Sequence, residues 1–275
     1  MGFFKRLFEF YINSSIHVAL AVSSLTWITL LNYELPLDEN ILFFIFFASV
    51  TGYNFVKYFG LAKFHHRQLD NWLKLIQIFS FSCFIGLCYF AFLLNPKTLI
   101  YIFSTAIITF LYAIPFLTKR LFINNKYSLR GIKGLKIYII ALVWVGVTVF
   151  IPLINNNFRI NFDVIITAFQ RFLFIMVLMF PFEIRDMRFD NLKLSTIPQK
   201  IGIKRTKVIG LLLLVGFLFL ESFKDEINSK SVTVLILISV ITLLFLVFSE
   251  ENRAKYYSSF WVEGLPILWL LLTLF

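Results

Sequence analysis

Three stretches of this sequence carry side chains whose types and spacing could do chemistry. The richest runs Phe182-Glu183-Ile184-Arg185-Asp186-Met187-Arg188-Phe189-Asp190-Asn191-Leu192-Lys193. If a helix continues through it past Pro181, then Glu183, Asp186 and Asp190 fall at i, i+3 and i+7. They line one face, with neighbouring side chains about 5–6 Å apart. Like charges on one face repel, so the stripe calls for a compensating cation, either a metal or basic side chains. Oxygen-only carboxylate ligands suit Mg²⁺, which typically binds through one or two carboxylates plus substrate phosphates. Arg185, Arg188 and Lys193 beside them suit a diphosphate, because a guanidinium matches phosphate oxygens with paired hydrogen bonds. A solvated helix held by its own ion pairs is the plain alternative.

The second stretch is Tyr112-Ala113-Ile114-Pro115-Phe116-Leu117-Thr118-Lys119-Arg120, a proline followed by a basic pair. Its simplest reading is a cationic anchor at a membrane exit. The third is Tyr53-Asn54-Phe55-Val56-Lys57-Tyr58-Phe59-Gly60. Asn54 sits in an apolar run, where a polar side chain needs a partner. A hydrogen bond between helices and a ligand contact are both open, and Lys57 follows one turn on along the same face.

The elements that must position these residues are membrane helices. Of 275 residues, 59% are hydrophobic and 15% charged, and 36 are Phe. The mean hydropathy is +0.83. A soluble domain is nearer 45–50% apolar and about 25% charged, so the composition points to a single integral membrane domain over residues 1–275. The two cysteines, Cys83 and Cys88, are five apart in one apolar run and on different helix faces, so an intrachain bridge is not expected. A bilayer core takes about 20 apolar residues per helix. Nine runs qualify, at about 14–33, 39–60, 73–94, 98–118, 135–154, 162–182, 207–223, 231–249 and 258–275. The first is expected to be retained, since no cleavage site follows it. Long continuous runs of this kind exclude a transmembrane barrel.

Charge gives the orientation. The net charge of +11 would suggest nucleic acid in a soluble protein. Here it follows from topology, and no nucleic-acid partner is expected. With nine spans, Lys97, Arg159, Lys224 and Lys230 are the Lys and Arg residues left to one side, and Arg171 lies inside span six. All the others share the N-terminal side. The positive-inside rule then places the N-terminus in the cytoplasm and the C-terminus opposite, in what is expected to be a bacterial cell membrane. The long cytoplasmic loops, about 57–73, 119–134 and 183–206, hold the polar residues and define the working face. Arg171 is a functional candidate by position, since a charge at membrane depth needs a partner.

The loop that opens with Glu183 resembles a known motif. Asp186-(x)₃-Asp190, followed by Thr196-Ile197-Pro198 and Ile201-Gly202, is similar to the second aspartate motif of the UbiA-type intramembrane prenyltransferases. Tyr112, Pro115, Lys119 and Arg120 are similar to that family's segment after span four. The resemblance implies an all-α membrane protein with nine transmembrane helices around a central cavity. It implies transfer of a prenyl group from a prenyl diphosphate to a lipid or aromatic acceptor, such as a quinone precursor. Mg²⁺ would be held by Asp186 and Asp190, with Glu183 in support. Asn54, Tyr112, Lys119, Arg120 and Arg185 would contact the diphosphate. The sequence departs from the family at its first motif, Asn-x₃-Asp-x₃-Asp. Asn54 fits, but Tyr58 and Ala62 occupy the aspartate positions. Lys57 then becomes the candidate for a fixed cation in place of one metal, and a single Mg²⁺ site is expected. A non-catalytic protein that binds isoprenoid lipids or serves as a scaffold is the alternative.

Overall fold

The computed structural model describes residues 2–62, 71–113, 135–188, 196–225, 228–254 and 256–275. The chain begins with an amphipathic helix, α1 (Phe3–Asn13), which leaves Phe3, Phe4 and Leu7 exposed. A break at Ser14 and Ser15 turns the chain by 53° into α2 (Ile16–Asn32). Ser15 takes a left-handed backbone, φ 64° and ψ 19°, which an L residue with a side chain rarely adopts. Then follow α3 (Glu39–Ala62), α4 (Asn71–Ala91) and α5 (Pro96–Ala113). The next helix, α6 (Lys136–Asn155), contains a wider π turn at Gly146–Phe150, just before Pro152.

The centre of the bundle is α7 (Phe162–Asp186), most of whose length is enclosed by other helices. At 25 residues it is roughly 37 Å long, enough to cross a bilayer. After it come the single turn α8 (Ile197–Ile201), α9 (Ile203–Phe219), α10 (Ser229–Val247) and the last helix, α11 (Tyr257–Leu274). Helix α7 packs against α6, α9 and α10, while α2 packs against α3 and α11, and α3 against α4. The core gathers Phe174, Phe180 and Phe217 with Trp269, and the outward sides of the helices stay apolar. A bundle with apolar residues both inside and outside belongs in lipid.

The all-helical membrane architecture agrees with the sequence; the count of spans is less complete. Seven helices among the described residues are long and apolar enough to cross, or eight when the bent pair α1 and α2 is taken as one. The ninth expected span corresponds to α5. Its side chains are described only through Thr109, and the rest of the expected span lies outside the described residues.

Candidate functional site

The break between α1 and α2 is where the third sequence stretch finds its partners. Asn54 is 3% exposed. Its Oδ1 accepts from Ser15 Oγ at 2.8 Å, and its Nδ2 donates to the Ser14 carbonyl at 2.9 Å and to Ser80 Oγ at 2.7 Å. One carboxamide therefore joins the α1–α2 break, α3 and α4. Between the two readings that the sequence left open, the structure places Asn54 in the hydrogen bond between helices. Lys57 Nζ donates to the same Ser15 Oγ at 2.8 Å. Tyr58, at the first missing aspartate position, donates to the Asn13 carbonyl at 2.9 Å.

Lys57 has a counter-charge that sequence reasoning missed. Glu263, from the last helix, is in electrostatic reach of both Lys57 and Arg185. Glu263 follows the π turn Tyr257–Val262, and its N–H donates to the Ser258 carbonyl at 3.0 Å. That turn is braced from the first break. His17 Nε2 donates to the Phe260 carbonyl at 2.8 Å, which leaves Nδ1 to accept from Tyr11 O–H, also at 2.8 Å. The imidazole stacks on the Phe260 ring at 5.0 Å. The wide turn re-aims the carboxylate within an otherwise apolar helix, as such turns often do at functional positions. A lone acid in an apolar run was the signal available in the sequence.

The loop after α7 is built differently from the expected stripe. The helix stops at Asp186, with Met187 and Arg188 in a turn. Glu183 and Asp186 therefore share the last turn of α7, while Asp190 lies outside the described residues. Asp186 Oδ1 accepts from both Nε and Nη2 of Arg185, at 2.9 and 2.7 Å, and Oδ2 lies 3.8 Å from Lys136 Nζ. Both cations compensate the carboxylate without a metal. Arg185, expected at a diphosphate, is turned to its neighbour instead. Glu183 is 2% exposed, and its Oε2 accepts from the Ile197 N–H at 3.3 Å. It fastens α8 to the end of α7.

The Thr-x-Pro…Gly tail has a local explanation. Thr196 is extended, Pro198 sits in the first turn of α8, and Gln199 Oε1 accepts from the Thr196 N–H at 3.0 Å. Gly202 separates α8 from α9 with φ +82° and ψ 159°, a region open essentially to glycine alone. Asp190, Lys119 and Arg120 lie outside the described residues, as does the side chain of Tyr112 on the last turn of α5. Among the described residues no group of three or more His, Cys, Asp or Glu could hold a metal. The Oδ2 of Asp186 lies 3.8 Å from Lys136 Nζ. That donor suits one Mg²⁺ if Asp190 and phosphate oxygens complete its shell.

Neither a protein-family model nor a curated protein matches this chain in sequence. Its fold is similar to that of a solved digeranylgeranylglyceryl phosphate synthase, with a TM-score of 0.56 and 15% identity over 98% of this chain and 97% of that one. The likeness runs through the whole bundle and shows that the chain has this fold.

Proposed function

We propose that this protein is a UbiA-like prenyltransferase. It would move a prenyl group from a prenyl diphosphate to a lipid or aromatic acceptor at the membrane face where α7 ends. The observation that carries this reading is a convergence of charge within that fold. Lys57 from α3, Arg185 and Asp186 from α7, Lys136 from α6 and Glu263 from α11 form one linked set. A departing diphosphate gains negative charge, and preorganised cations stabilise it in proportion. Lys57, held in place by Ser15, is the fixed cation on one side. Arg185 is the movable one: on ligand binding it would leave Asp186 and pair with phosphate oxygens, freeing Asp186. Lys119 and Arg120 are proposed as further phosphate contacts. Asp186 and Asp190 would hold a single Mg²⁺, which when bound would neutralise part of the leaving group's charge. Glu183 supports this site through α8.

One observation favours a second reading, a non-catalytic protein that binds isoprenoid lipids. Tyr58 stands where the family's first aspartate would be, and its hydroxyl is engaged by the Asn13 carbonyl. The test is pyrophosphate release from prenyl diphosphates by the full chain in nanodiscs, with and without Mg²⁺, against an acceptor panel. Mg²⁺-dependent release that disappears in Asp186→Asn supports the enzyme. A folded protein that retains prenyl diphosphate or prenyl lipid without turnover supports the second reading.

A further inference from the structure

The bundle has a large cavity, and it lies at the end opposite Asp186. About 620 Å³ in volume, it is lined by the end of α2, the start of α7, the segment after α9, the start of α10 and the end of α11. Its wall includes Arg171, which is 2% exposed and lies eight residues along α7 from Asp163 at the rim. That is a depth of about 12 Å. Arg171 donates to the Leu25 carbonyl at 3.2 Å and to Thr29 Oγ1 at 3.3 Å, and its guanidinium carbon lies 5.0 Å from the centre of the Trp269 ring. None of the ion pairs among the described residues includes it. Two neutral acceptors and a ring face do not neutralise a guanidinium, which has five N–H donors. A charge left at this depth is costly without a counter-ion.

The acids around the cavity are committed elsewhere or sit at its mouth. Glu221 Oε2 is held by Lys224 Nζ at 2.7 Å and by Gln170 Nε2 at 2.9 Å, and Asp163 Oδ1 accepts from the Asp225 N–H at 3.3 Å. The positive charge thus stands alone at depth, with space in front of it. We propose that this cavity is a binding site for an oxyanion, a phosphate or carboxylate group, with Arg171 as its anchor. The group would come from a membrane lipid headgroup or from a small solute. The site is distinct from the proposed diphosphate site, being separated from it by most of the length of α7.

The test is binding of inorganic phosphate and of a short-chain phosphatidate to the full chain in zwitterionic nanodiscs. The Lys57→Met chain, which lacks the fixed cation of the proposed diphosphate site, is compared with the same chain carrying Arg171→Met or Ser231→Trp. Ser231 lines the cavity on the α10 side, so a tryptophan there narrows it from the wall opposite α7. Saturable binding is expected, about 10- to 100-fold weaker with Arg171→Met from the loss of a charge-assisted contact and clearly weakened with Ser231→Trp. Binding of both probes supports a free oxyanion as the ligand, and binding of phosphatidate alone supports a lipid headgroup. If Arg171→Met does not fold, Ser231→Trp decides. No binding by either probe, or binding equally strong with Arg171→Met and with Ser231→Trp, overturns the proposal.

Discussion

The Asn54→Ala substitution separates two roles that the sequence alone leaves open. If Asn54 is a ligand contact, its loss weakens prenyl diphosphate binding and leaves stability nearly intact. If it is the clamp described above, the reverse holds. Three hydrogen bonds disappear, to Ser15 Oγ, the Ser14 carbonyl and Ser80 Oγ. Hydrogen bonds between membrane helices average about 0.6 kcal/mol, so three amount to roughly 2 kcal/mol. The truncation at a buried site adds about 1 kcal/mol more. The expected loss is therefore about 3 kcal/mol, whereas Ser80→Ala, which removes one of the three bonds, should lose about 0.6 kcal/mol. Reversible unfolding in mixed micelles with increasing sodium dodecyl sulfate gives these differences, and ligand titration of the same samples gives affinity. Because the two residues share a bond, the double variant should lose less than the sum of the singles. An Asn54→Ala protein within about 0.5 kcal/mol of the parent, with a tenfold weaker ligand affinity, would refute the clamp.

Three further predictions concern neighbouring parts of the site. Gly202→Ala should destabilise by about 1–3 kcal/mol, because φ +82° with ψ 159° is closed to a side chain; limited proteolysis after Ile201 should quicken in parallel. Gly264→Ala would place a Cβ 2.8 Å from the Phe260 carbonyl oxygen and 3.3 Å from His17 Nε2. Backbone cannot yield cheaply, so a loss of about 1–3 kcal/mol is expected by the same unfolding assay, with a disturbed His17 imidazole signal in NMR. Glu263→Gln removes the counter-charge of Lys57 and should destabilise, while Lys57→Met in the same chain should restore part of the loss. The coupling measured over the four-protein cycle should exceed about 0.5 kcal/mol, and additivity would show that the two groups do not interact.

The sequence made the membrane fold legible for a physical reason. A span is announced by its length and hydropathy, both of which are local, and the seven helices that qualify lie within a few residues of the expected runs. The α8 turn was not read from the sequence, although Thr196, Pro198 and Gly202 each carry a local backbone instruction for it. The site was harder. Asn54 had two equal readings until Ser14, Ser15 and Ser80, about 26 to 40 residues away, supplied its partners. Glu183 looked like one member of an acidic stripe because a continued helix was assumed. The chain turns after Asp186 instead, and Glu183 faces the Ile197 N–H. Glu263 was passed over because its meaning depends on Lys57 and Arg185, which arrive from other helices.

What the fold does with the missing acids follows from the same break. In the family pattern the exit of the second span presents carboxylates, and their role requires a metal to join them to the diphosphate. Here that surface of α3 presents Lys57, held by Ser15 Oγ, and Tyr58, held by the Asn13 carbonyl. Both contacts fall at the α1–α2 break, where Ser15 takes its left-handed backbone and the chain bends by 53°. An aspartate at position 58 would lose the hydroxyl that now donates to the Asn13 carbonyl. A fixed ammonium has half the charge of the metal and cannot bridge two ligands, but it needs no carboxylates to hold it. Glu263 from the last helix lies within electrostatic reach of Lys57 and Arg185, and Arg185 pairs with its neighbour Asp186 at the end of α7.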